Sequence, residues 1–255
     1  MEEIKKRKLD VCLSTELIGT FDTENTIVVI IDIIRASSTI CTAFHYGVDE
    51  LVAVAEVKTA LGYKSNGYLT AGERNGEQLE GFDMGNSPLS FMTPNIKGKK
   101  LAITTTNGTK TIALVSEKLK NSSDTEIIVG AFVNYQPLFQ YLRSTKKNVL
   151  LVCSGWKGNV SIEDTLFAGK LAGDLNRYGQ FEYLSDAPNH AVLIYNLAKD
   201  DLFGFIMDQS MRFKNKIGDL GTDIRYCLKE NVTNALPIFV DGKFIDRNIK
   251  TETVD

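Results

Sequence analysis

Short apolar runs alternate along the chain with segments of helical spacing. Residues 9–13 and 26–33 read as strands, and the second, TIVVIIDI, is almost continuously β-branched, the pattern of a central strand covered on both faces. After it, Ala36, Ser37, Ser38, Thr39 and Ile40 open a segment that ends at Gly47, which predicts a helix with hydroxyl groups in its first turn and a glycine stop. The order of strand, polar loop and helix then recurs. Residues 51–54 precede a helix near 56–63, 100–104 precede 108–119, and 126–130 precede 135–142. A strand at 148–153 leads to a helix from 162 to about 175, where Ile162, Leu166, Leu171 and Leu175 fall near helical spacing. The remainder reads mainly as helix until Pro237. There 238–240 and 243–245 flank Asp241-Gly242, a dipeptide suited to a two-residue hairpin turn. This alternation predicts an α/β fold: a largely parallel or mixed sheet with helices on both faces. The 255 residues suffice for one domain, or for two closely packed halves.

Composition adds mainly exclusions. With 43% hydrophobic and 24% charged residues the chain has an ordinary globular balance. A net charge of -3 gives no basic excess for a nucleic-acid backbone, and the only basic run, Lys5 to Lys8, follows two glutamates. The first thirty residues lack the pattern of a signal peptide, and the aliphatic run 27–31 is far too short to cross a bilayer, so a cytoplasmic protein without membrane attachment is expected. Cys12, Cys41, Cys153 and Cys227 are scattered and read as reduced structural thiols. His45, between Phe44 and Tyr46, reads as a packed structural residue, and two histidines cannot build a multi-histidine metal centre.

In open α/β sheets ligands bind beyond the carboxyl ends of the strands, so the residues just after each strand carry the chemical information. Asp32 ends the buried strand and Arg35 precedes a helix start, where unpaired N–H groups favour anions and a guanidinium can clamp phosphate oxygens. The alternative is that Asp32 caps a turn and pairs with Arg35 on the surface. Thr104, Thr105, Thr106, Asn107, Gly108 and Thr109 suit a phosphate cradle, although threonines and Asn-Gly are also ordinary strand-end and turn residues. Ser154, Gly155, Trp156, Lys157 and Gly158 form a third polar loop. Beyond it, Ser161 and Asp164 have capping-box spacing, whereas Glu163 is free to meet a metal or act as a base.

The densest group is the segment 72–88, which holds four glycines among regularly placed acids and fits neither a packed helix nor a strand. Magnesium takes oxygen ligands and keeps several waters, so one or two of Glu73, Glu77, Glu80, Asp83 and Asn86 would suffice to bind it. Glu77 and Glu80 read as solvated charge. No Walker loop, dinucleotide fingerprint or tyrosine-phosphatase spacing is present.

Taken together and in order, IVVIIDIIRASSTI from Ile27, AGERNGEQLEGFDMGNSP from Ala71, TTTNGT from Thr104 and VCSGWKGNVSIEDTLFAG from Val152 resemble the 2-phosphosulfolactate phosphatase family. The likeness extends over roughly residues 9–241. It departs at Ser37-Ser38, where paired threonines are more familiar, and at Ser154-Gly155-Trp156, where a smaller turn is usual. The resemblance implies a magnesium-dependent monoester hydrolase associated with coenzyme M biosynthesis, converting 2-phosphosulfolactate to 3-sulfolactate and phosphate. It implies metal ligands drawn from Asp32, Glu73, Asp83 and Glu163. For the small polyanionic substrate it implies contacts from Arg35, Ser37, Ser38, Arg74, Thr105, Thr106, Asn107, Gly108, Thr109, Ser154 and Lys157. Asp32, Arg35 and Glu163 would carry the chemistry, with either water or Asp32 as nucleophile. A phosphatase for another small monoester, or a non-catalytic sensor of a phosphate or sulfonate, would use the same cradles. The sequence leaves open whether the protein is a homo-oligomer.

Overall fold

The computed structural model describes residues 6–120, 122, 124–214 and 220–248. In chain order the elements are β1 (Arg7–Cys12), β2 (Thr26–Ile31), α1 (Ala36–His45), β3 (Glu50–Ala53), α2 (Val57–Gly62), β4 (Leu69–Arg74) and β5 (Glu77–Gln78). They continue with β6 (Lys100–Thr104), α3 (Gly108–Leu119), β7 (Glu126–Gly130), α4 (Tyr135–Ser144), β8 (Asn148–Cys153), α5 (Ile162–Asn176) and β9 (Phe181–Tyr183). The chain closes with α6 (Ala187–Ala198), α7 (Leu202–Gln209), α8 (Leu220–Cys227), β10 (Pro237–Val240) and β11 (Lys243–Asp246).

The strands form one mixed 11-stranded sheet in the order β5-β4-β6-β3-β11-β10-β7-β2-β8-β1-β9. Two parallel blocks, β4-β6-β3 and β7-β2-β8-β1-β9, are joined by the C-terminal hairpin. β2 has no residue more than 3% exposed, because helices cover both faces of the sheet around it, as its β-branched sequence predicts. All four cysteines are buried and free.

The hairpin determines how the blocks meet. β10 runs antiparallel to β7, β11 to β10, and β11 to β3, so three reversals leave the two blocks running in opposite senses. In a flat sheet the loops after β2 and β6 would then lie at opposite edges. They meet, so the sheet bends. The junctions can accommodate this because each has a single registered pair, Ile238 with Ile128 and Phe244 with Leu51. α1 carries the chain from β2 to β3, and α3 returns it from β6 to β7, so both helices cross between blocks.

Three sequence expectations change. The segment 72–88 is not structureless at its start: Gly72, Glu73 and Arg74 complete β4, and the pairs Glu73 with Gln78 and Arg74 with Glu77 close a hairpin over Asn75-Gly76. Asn75 and Gly76 adopt φ of 56° and 91°, as Asp241 and Gly242 do at 50° and 83°, the left-handed pair that a type I′ turn requires. The region before Pro237 holds a short strand, β9, besides its helices. His45 is exposed rather than packed, its ring edge-on to Tyr46 at 5.4 Å.

Candidate active site

Asp32 follows β2 at the point where α1 and α3 both begin. Its N–H donates to Ser37 Oγ at 2.9 Å, and its Oδ1 accepts the Ala36 N–H at 3.3 Å. The Gly108 backbone lies against the same carboxylate and favours its charged form. A Cβ on Gly108 would lie 2.7 Å from Ala36 Cβ and 2.8 Å from Asp32 Oδ2, so only glycine lets the two helix starts close on one carboxylate. Two positive helix ends therefore face the same spot. Burial pushes the Asp32 carboxyl above its ordinary range, and the Arg212 charge opposes that rise.

Glu73, at the end of β4, fastens the two neighbouring loops. Its Oε1 accepts the Thr106 N–H at 2.6 Å and its Oε2 the Gly76 N–H at 2.8 Å. Glu163 in the first turn of α5 is 2% exposed; Oε1 pairs with Arg212 Nη1 at 3.2 Å, and Oε2 has no partner. Burial raises the Glu163 carboxyl, Arg212 resists, and Asp32 adds to the rise.

One expectation is corrected here, and one alternative is removed. Asp164 does not complete a capping box: the Ser161 side chain makes no cap bond to α5, and the Asp164 carboxylate joins two strand-end loops instead. Its Oδ1 accepts the Ile33 N–H at 2.8 Å and its Oδ2 the Gly155 N–H at 3.0 Å. Arg35 is buried and does not pair with Asp32 on the surface. Its Nη1 meets Asp223 Oδ2 at 2.6 Å and its Nη2 donates to the Gly76 carbonyl at 2.8 Å. Asp223 Oδ1 also accepts from Ser87 Oγ at 2.7 Å, so α8 ties the loop after β2 to the segment after β5.

These loops enclose a cavity of about 230 Å³. Asp32, Arg35, Glu73, Thr106, Asn107 and Lys157 line it, together with Asn86, Trp156, Arg212 and Phe213. Glu163 connects to it through Arg212, and Ser154 lines an adjoining cleft. The other expected residues serve as framework. Ser37 donates to the Ile30 carbonyl and Ser38 to that of Ile33. Thr105 and Thr109 bond each other reciprocally across the start of α3. Arg74 turns back to the Glu73 and Ala55 carbonyls and Thr104 Oγ1. Asp83 is not brought to the cavity: Thr70 and Lys64 hold its carboxylate at the surface.

Arg212 and Asp223 escaped the sequence reading, because each is a single charge in a region legible only as helix. At the cavity, Asn86 Oδ1 and Thr106 Oγ1 are buried without partners, as is Ser154 Oγ beside it. Buried polar atoms are ordinarily satisfied, so this group marks a place prepared for a polar ligand. Hard oxygens at Asp32, Glu73, Asn86 and Thr106 suit a magnesium-like cation. Among the described residues, no three acidic, histidine or cysteine side chains converge into a closed cage.

Buried carboxylates, ion-paired arginines and two helix starts meet on one cavity of this α/β fold. Family comparison gives the class a name. The model of the 2-phosphosulfolactate phosphatase family matches residues 12–242. A Thermotoga maritima protein named as a probable 2-phosphosulfolactate phosphatase is 38% identical over 219 residues, covering 85% of this chain and 90% of its own. Relatives of the same name from Caldanaerobacter subterraneus subsp. tengcongensis and Clostridium tetani are each 32% identical. They cover 88% and 92% of this chain and 95% and 98% of their own lengths. The chain belongs to the 2-phosphosulfolactate phosphatase family, whose members are phosphoric monoester hydrolases. Among the described residues, no helix is long and apolar enough to cross a membrane.

Proposed function

We propose that this protein hydrolyses 2-phosphosulfolactate to 3-sulfolactate and inorganic phosphate, with magnesium as cofactor. The observation that carries the reading is Asp32, a buried carboxylate held at two helix starts on a cavity that also presents Arg212 and Lys157. Asp32 and Glu73 would hold the cation, with Asn86 Oδ1 and Thr106 Oγ1 as neutral oxygens beside them and water completing the shell. When bound, magnesium supplies positive charge to the phosphoryl oxygens.

The rest of the chemistry falls to the protein's own groups. Arg212, steadied by Glu163 and flanked by the rings of Trp156 and Phe213, offers its guanidinium to an anion in the cavity. Arg35 also lines the cavity, and its bonds to Asp223 and the Gly76 carbonyl hold the Gly76 turn against it. Asp32 orients the attacking water and takes its proton, and that proton passes to the departing ester oxygen as the P–O bond breaks. The fixed Asp32 geometry means that little reorganisation accompanies the charge change.

The test is phosphate release from a panel of monoesters incubated with purified protein and magnesium. Preferential turnover of 2-phosphosulfolactate supports the assignment. Preference for another ester would keep the hydrolase and remove the substrate, and saturable binding without turnover on any ester would make the protein a sensor.

A further inference from the structure

Lys157 and Arg212 reach the cavity from distant parts of the chain, and one ring meets both. Lys157 Nζ stands 4.8 Å and the Arg212 guanidinium carbon 5.8 Å from the centroid of Trp156. Both lie within the roughly 6 Å over which an aromatic face attracts a cation. All three residues line the Asp32 cavity. Two like charges brought to one place repel, and a ring that attracts both offsets part of that cost.

The ring is carried on a tight turn. The Trp156 N–H donates to the Asn159 carbonyl at 2.9 Å and the Asn159 N–H to the Trp156 carbonyl at 3.1 Å, which closes two residues, Lys157 and Gly158, into a hairpin. Their φ values of 53° and 78° are the left-handed pair found also at Asn75 and Gly76. Asparagine, aspartate or glycine is the ordinary first residue of such a turn, because a larger side chain crowds the left-handed backbone. Lys157 therefore places a cation where the backbone alone favours a smaller residue. Among the described residues, no ion pair or hydrogen bond engages its ammonium, and Trp156 is its partner. Arg212 has further supports, Glu163 at 3.2 Å and the Phe213 ring 4.8 Å from its guanidinium.

We infer that Trp156 is a positioning residue, whose ring holds the Lys157 ammonium and the Arg212 guanidinium at the cavity as a two-cation clamp for a phosphoryl group. The inference rests on the proposed function for the identity of that anion. Lys157 and Arg212 touch the anion, and Trp156 acts through them.

The test is titration of inorganic phosphate in the presence of magnesium. Trp156 is the single tryptophan of the chain, so its fluorescence reads the wild type directly. Calorimetry reads Trp156→Phe, Trp156→Leu, Lys157→Asn and the double variant Trp156→Leu/Lys157→Asn. The bonds of the turn are made by the backbone, and asparagine suits the first turn position, so Lys157→Asn removes the charge and keeps the turn. Saturating phosphate is expected to change the wild-type emission as the cations move from the ring to the anion. Trp156→Leu should weaken phosphate binding about tenfold, two cation–ring contacts at about threefold each, and Trp156→Phe should recover most of the loss. With Lys157 already replaced, Trp156→Leu should cost only about threefold. Absent phosphate binding or unchanged emission in the wild type would overturn the clamp, and these need no substitution of the ring. Equal losses in Trp156→Phe and Trp156→Leu, or the same loss with and without Lys157, would also overturn it. Phosphate binding that follows the expected pattern in a protein that cleaves no ester would keep the clamp and lose the proposed reaction.

Discussion

Gly108 and Asp32 are in contact: a Cβ on the glycine would stand 2.8 Å from Asp32 Oδ2. These residues come from the two oppositely running blocks of the sheet, so their contact fixes the geometry of the site. Gly108→Ala must displace either the carboxylate or the start of α3, since Ala36 Cβ blocks the remaining direction at 2.7 Å. A shift of about 1 Å in a reacting group costs on the order of 100-fold in rate. We expect kcat to fall by about that factor in a protein that still folds, checked by steady-state kinetics beside circular dichroism.

Asp164 provides a stability test. Its carboxylate accepts the Ile33 and Gly155 N–H groups, and all of this lies in the interior. Asp164→Ala leaves two buried donors unsatisfied, at about 1–3 kcal/mol each. Asp164→Asn keeps one acceptor oxygen and should lose roughly half as much. Urea denaturation of the two variants measures the difference, and equal stability to wild type in Asp164→Ala would remove the staple.

Arg212 answers the buried charge of Glu163. Removing one partner of a buried pair typically costs about 3–5 kcal/mol, because the other charge is left uncompensated. Arg212 is a quarter exposed, so the lower end applies. Arg212→Ala should therefore destabilise the fold by about 3 kcal/mol. The double variant Arg212→Ala/Glu163→Gln should recover much of that stability without recovering kcat/KM. Simple additivity in this cycle would show that the pair is not coupled.

Glu50 governs the acid limb of stability at the hairpin junction. Burial alone would push its carboxyl up, but hydrogen bonds from Lys243, Tyr68 and Lys100 outweigh it and bring the pKa from 4.5 down to about 2. Those partners lie on β11, before β4 and on β6, so Glu50 joins the hairpin to the smaller block. Between these two values the unfolded chain binds the proton more readily than the folded one. The contribution of Glu50 is complete above about 4.5 and is lost as pH falls toward 2. The stability gap between wild type and Glu50→Gln should shrink over that window in denaturation at several pH values, and a constant gap would refute the assignment.

Much of this architecture can be read from the chain, and the exceptions have physical causes. β2, α1, β6, α3, β8 and α5 were legible because long apolar runs and helical spacing act over many residues. The hairpin of β4 and β5 had a local signal, Asn75-Gly76, but four glycines and regular acids obscured the apolar alternation around it. β9 has three residues, too few to show a period. At the site, Asp32 and Thr106 announced themselves by following strands, and Glu73 by its place among the glycines and acids of 72–88. Arg212 and Asp223 did not, because tertiary folding alone brings them to Glu163 and Arg35. Asp83 shows the converse: an acid in a suggestive segment is committed to Thr70 and Lys64 before it can reach the cavity.

The central claim is that phosphate ester hydrolysis takes place at Asp32 with magnesium. The direct measurement is inorganic phosphate released from 2-phosphosulfolactate by wild type and Asp32→Asn, each with magnesium and with the metal removed by chelation. Wild type with magnesium should turn over, chelation should abolish turnover reversibly, and Asp32→Asn should retain its fold while losing on the order of 10²–10⁴-fold in kcat. Wild-type rates in folded Asp32→Asn, or full activity after chelation, would contradict it.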